Sequence, residues 1–68
     1  LVVPDDLAAA LATNPQAQTT FEGFAASAKQ LYLWWIKSAK RPETRAQRIA
    51  DTVWLVERGI KQPGRVAQ

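Results

Sequence analysis

The side chains able to do acid–base chemistry in this 68-residue chain are chiefly six carboxylates, Asp5, Asp6, Glu22, Glu43, Asp51 and Glu57. Cysteine and histidine are both absent. With them go the thiolate and imidazole metal ligands, and the Cys–His and Ser–His pairs that activate a nucleophile. A general acid and its base need two groups held together and oriented by polar neighbours. Asp5 and Asp6 are adjacent, but neighbouring residues at a helix start point apart and act as cap and dipole partner. Ser27 has a capping role, and Ser38 and Thr44 have no base to activate them. The chain therefore reads as non-enzymatic, with no metal and no cofactor.

What remains is recognition by aromatic rings and cations. Three tryptophans stand in a chain that is 47% apolar, and twelve of its apolar residues are alanine. So short a chain buries only about 60% of its unfolded surface, enough for one small domain. No disulfide or metal staples it, so packed helices and large apolar anchors must hold it. A core this small has few places for three indoles.

Charge is unevenly placed as well. Nine Lys/Arg against six Asp/Glu give +3, and between Ser27 and Arg48 six basic residues meet only Glu43. Lys37, Lys40, Arg41, Arg45 and Arg48 form a basic patch around one turn. Such a patch would attract phosphate, anionic lipid or an acidic protein. The plain alternative is a solvated helix face with cations at a helix C-terminus. Binding to nucleic acid is disfavoured: a helix–turn–helix wants a glycine-containing turn and a polar recognition helix. Here the turn is Arg41-Pro42, and the helix after it carries Trp54 outward. No apolar run approaches the roughly 20 residues of a membrane span, and no secretion signal is present. Absent cysteines fit a reducing compartment, so a soluble, cytoplasmic chain is expected.

The elements that must position these side chains are all helical. Val3-Pro4-Asp5-Asp6 predicts a helix entrance with an aspartate as N-cap, followed by Leu7, Ala8 and Leu11 as a short apolar stripe. Thr13-Asn14-Pro15 closes it, and Asn14 caps a second helix with Pro15 at its first position. Ala17, Phe21 and Phe24 share a face there. Ser27 and Gln30 have capping-box spacing, which predicts a third helix from Ser27 to about Ala39 or Lys40. Pro42 ends it and opens a fourth, which runs to Arg58 before Gly59 stops it. Lys61 to Gln68 has turn chemistry and no periodicity. The expected architecture is an all-α compact bundle of three to four short helices over 1–60, with 61–68 a frayed tail.

Placing residues at about 100° per step separates core from surface. On the third helix Ala28, Tyr32, Trp35, Ile36 and Ala39 face inward, with Leu31 on the edge, while Gln30, Leu33, Trp34 and Lys37 face out. On the fourth, Ala46, Ile49, Val53, Val56 and Ile60 form the inner stripe, with Leu55 off it. Gln47, Asp51, Trp54 and Arg58 face out. Trp35 thus reads as a core anchor, and Trp34 and Trp54 as large apolar groups where the pattern expects water. Apolar groups clustered on adjoining helices mark an interaction surface, and tryptophan is a favoured anchor. The expectation is a flat face, Gln30, Leu33, Trp34 and Lys37 beside Gln47, Asp51, Trp54 and Arg58, for a protein partner or self-association. The alternative is that the first two helices or the tail fold over one or both indoles.

The segment from Trp35 to Ile49, with Ala39-Lys40-Arg41-Pro42-Glu43-Thr44-Arg45 at its heart, resembles the C-terminal helical domain of the bacteriocin-protection, YdeI or OmpD-associated family. Val3-Pro4-Asp5-Asp6-Leu7 and Leu11 resemble that family's opening, so the likeness spans nearly the whole chain. It implies a small bacterial helical bundle, often appended to another domain. The implied roles are survival of bacteriocins or antimicrobial peptides and association with an outer-membrane porin, with no catalysis. The motif positions are Trp35, Ile36, Ala39, Lys40, Pro42, Glu43, Thr44, Arg45, Arg48 and Ile49. Departures fall outside: Gln47 where the family tends to be basic, Trp34 and Trp54 where polar residues are expected, and Leu31. A kept core with an aromatic-enriched exterior suits two histories. One is an engineered binding scaffold; the other is a natural homologue whose indoles dock on another domain or a second copy.

Overall fold

The computed structural model describes residues 2–63 and contains four helices, α1 (Asp5–Ala12), α2 (Pro15–Gly23), α3 (Ala26–Lys37) and α4 (Pro42–Glu57). No strand occurs among the described residues. The fold is all-α, a bundle of short helices as the periodicity predicts. Residues 64–68, most of the expected tail, lie outside the described residues.

Local punctuation sets most boundaries. The Asn14 side chain accepts from the Ala17 N–H at 3.1 Å, with Pro15 behind it at the first helical position. Pro42 opens α4, and Gly59, at φ 76°, closes it. There the Ile60 N–H reaches the Leu55 carbonyl and the Gly59 N–H the Val56 carbonyl, which satisfies carbonyls the helix would leave orphaned.

Three boundaries differ from expectation. Neither aspartate caps α1: Pro4 holds the N-cap position, and Asp5 and Asp6 lie in the first turn. Ser27 and Gln30 form no capping box, because α3 begins at Ala26 behind an uncapped Ala25. Phe24 is buried in extended conformation there, and its anchoring fixes where the chain turns. α3 also stops at Lys37 rather than Ala39 or Lys40. The Trp35 carbonyl, which a longer helix would offer to the Ala39 N–H, instead accepts from Ser38 Oγ at 2.8 Å and Arg48 Nη1 at 2.7 Å.

The core joins Leu7 and Leu11 of α1, Ala17, Phe21 and Phe24, Ala28, Tyr32 and Ile36 of α3, and Ile49, Leu55 and Val56 of α4. α4 packs against all three other helices, whereas α3 packs chiefly against α4. That asymmetry corrects the helical wheel. Leu55, expected off the stripe, is wholly buried, as is Thr52, while Ala46 is exposed and Val53 half-buried. The buried arc is turned by roughly 60° from the expected stripe at 100° per residue, because a central helix must serve three neighbours. Thr52 tolerates this position by donating its hydroxyl to the Arg48 carbonyl at 2.7 Å. On α1, Ala8 is exposed rather than part of the apolar stripe.

Tyr32 is fully buried, and its hydroxyl donates to the Ile60 carbonyl at 2.5 Å. The chain beyond α4 is thereby fastened to the inner face of α3. Burial pushes the Tyr32 phenol up to about 12. No buried side-chain polar atom among the described residues lacks a hydrogen-bond partner.

Candidate functional site

The outer face of α3 is exposed because little packs over it. Trp34 is 67% exposed and Leu31 47% exposed, with Gln30 and Lys37 also in solvent. An open cleft of about 300 Å³ beside the indole is lined by Val2, Gln30, Leu33, Trp34 and Lys37. A second, of about 390 Å³, is lined by Ser27, Gln30, Leu31 and Trp34. Trp34 therefore stands as a ridge between two shallow hollows. Leu33 corrects the expectation in part: it is half-buried and packs against the core while its edge lines the first cleft.

The outer face of α4 is arranged differently. Trp54 is 50% exposed, but the Arg58 guanidinium lies over its ring at 3.8 Å and donates to the Trp54 carbonyl at 2.9 Å. Arg58 also approaches Glu57 at 3.5 Å. One π-face of this indole is already engaged by a cation. Gln47 donates to Asp51 at 3.0 Å, one turn further on, and Asp51 is half-buried. No side-chain hydrogen bond among the described residues joins the α3 group to the α4 group.

The basic patch divides. Arg45 pairs with Asp6 through Nε at 2.6 Å and Nη2 at 3.1 Å, tying α4 to the start of α1. That guanidinium holds the Asp6 carboxyl below the usual carboxylate range, and Asp6 in turn raises Arg45. Arg48 reaches the Trp35 carbonyl and Ser38 Oγ and lies over the Trp35 ring at 5.2 Å. Two of the five expected patch residues, Arg45 and Arg48, are thus structural fasteners. Lys40 and Arg41 remain exposed. Trp35, expected as a core anchor, is half-buried and packs against the core under this arginine.

Sequence reasoning passes over Val2, which is 85% exposed and lines the cleft beside Trp34. It precedes the first helix, where no periodicity places a side chain. A third cleft, of about 280 Å³, lies among Val3, Leu11, Phe21, Glu22 and Lys29 and was likewise not legible in the pattern. Among the described residues no group of three or more His, Cys, Asp or Glu could hold a metal ion. None of their helices is long and apolar enough to cross a membrane.

The described residues define a small all-α domain, in which Arg48 fastens the α3–α4 hairpin, Arg45 ties α4 to α1, and the largest exposed side chains are indoles. More narrowly, the chain belongs to the bacteriocin-protection, YdeI or OmpD-associated family, which it matches over residues 1–59. No curated protein and no solved structure matches it.

Proposed function

We propose that this domain is a non-enzymatic protein-recognition module that uses the outward aromatic surface of α3 and α4. The observation that carries the reading is the exposure of Trp34 and Trp54 in a domain with so few large apolar residues. Gln30, Leu33, Lys37, Gln47, Asp51 and Arg58 surround the two indoles as the contact rim. The scatter of the carboxylates supports a non-catalytic role: Asp6 is held by Arg45 and Asp51 is bonded to Gln47. Family membership supports a bacterial protective role exercised by docking, on another domain or on an envelope protein. Correspondence to the family's C-terminal helical domain and a cytoplasmic location belong to the same reading. An engineered origin of the aromatic surface is the alternative history, and a genome encoding the identical chain would rule it out.

The test compares wild type with Trp34→Ala and Trp54→Ala in pull-downs from a bacterial lysate. Each captured protein is then purified and rebound. Loss of rebinding with an unchanged circular-dichroism melt supports the reading. A collapsed melt makes the residue part of the core instead. A basic nucleic-acid interface is the second reading, resting on exposed Lys37, Lys40 and Arg41. It requires duplex-DNA affinity that falls steeply with salt.

A further inference from the structure

We propose that the Trp34 face of α3 takes an acidic apolar segment of a partner protein, with apolar side chains seated in the two clefts and carboxylates set against Lys37. This rests on the protein-recognition reading and names the partner's chemistry. α3 carries Lys29 and Lys37 and no acidic residue, and exposed Lys40 and Arg41 follow it. The ion pairs among the described residues are Arg45–Asp6 and Arg58–Glu57, so none of these four cations pairs with a carboxylate of the described residues. Of these, Lys37 lines the first cleft beside Trp34, whereas Lys29 lies with Glu22 along the third, so the Trp34 face is apolar with Lys37 as the cation at its edge.

Shape and charge choose among occupants. A symmetric pair of copies using this face would bring like charge against like charge, since each offers the same surface to the other. A second copy is therefore a poor occupant. A lipid surface would satisfy the charge, but hollows of about 300 and 390 Å³ on either side of the indole suit discrete side chains. A helix laid in a groove presents such side chains at intervals of three or four residues. Trp54 offers no equivalent place, because Arg58 already stacks on its ring.

The experiment is selection of a displayed library of helical peptides, randomised in charge and in apolar spacing, on the folded domain. Binders are then measured against wild type, Trp34→Ala and Lys37→Glu. The proposal expects enriched peptides with Asp or Glu flanking an apolar stripe, abolished by Trp34→Ala and weakened about tenfold by Lys37→Glu, as loss of a facing charge pair predicts. Trp34-dependent binders with no acidic bias would overturn the acidic partner and leave the recognition reading intact. Binders indifferent to Trp34→Ala, or no binders at all, would count against both. Vesicles of phosphatidylglycerol that bind in a Trp34-dependent manner, without acidic enrichment in the library, would assign the face to lipid and overturn the proposal.

Discussion

The two faces of α3 carry side chains of similar size and put them to opposite uses. Inside, Tyr32 and Ile36 are wholly buried between α3 and α4. Outside, Trp34 and Leu31 stand in solvent with shallow hollows around them. What separates the faces is not composition but neighbours: α4 covers one, and no other helix packs closely over the opposite one. The two outer indoles teach the same lesson at smaller scale. Both point outward, yet Arg58 covers one face of Trp54, and no cation among the described residues lies over Trp34. Outward direction and availability are separate properties.

The comparison can be broken most severely from the inside. Ile36→Ala removes a fully buried side chain and is expected to cost about 2–5 kcal/mol. A core of this size rarely supplies more than about 3–5 kcal/mol, so the variant should be largely unfolded by circular dichroism at room temperature. A cooperative melt near wild type would mean the inner face is not the seam of the bundle.

Tyr32→Phe is milder. It keeps the ring and deletes the bond to Ile60, an expected loss of about 1 kcal/mol. Its pH signature is sharper than its size. The folded phenol sits at about 12, above the ordinary 10. Its contribution is therefore complete below pH 10 and is lost as pH rises toward 12. Urea midpoints of wild type should fall toward those of Tyr32→Phe across that window, lysine and arginine titration being common to both. Parallel midpoints would place the hydroxyl in water.

Changes on the outer face should scarcely register in stability. Trp34→Ala is expected to stay within about 0.5 kcal/mol of wild type, while removing the emission most accessible to acrylamide. Arg58→Ala should reduce the contrast between the indoles by making Trp54 more accessible to the quencher. If Trp54 is unchanged by that substitution, the stacked arginine does not govern its availability.

Much of this arrangement is legible in the chain because its signals are local. Asn14-Pro15, Pro42 and Gly59 each fix a boundary through their own backbone chemistry. The outward placement of Trp34 and Trp54 follows from spacing along single helices. What escapes is set by other elements. Leu55 and Thr52 are buried because α4 serves three neighbours, which one helix's periodicity does not encode. The Ser27–Gln30 box fails because Phe24 is pinned in the core. Arg48 shortens α3 from the far side of a turn. The cleft between Trp34 and Lys37 needs Val2, whose position depends on how α1 docks.

The two fastening arginines, three residues apart on α4, close loops of very different length. Arg48 reaches Trp35, 13 residues away, whereas Arg45 reaches Asp6 across 39. Closing the longer loop costs more chain entropy, and short-range contacts form faster. The α3–α4 hairpin is therefore expected to form early and the contact of α1 with α4 late. In stopped-flow refolding, Arg48→Ala should mainly slow folding, while Asp6→Asn should mainly speed unfolding. The reverse pattern would mean that the long loop closes first.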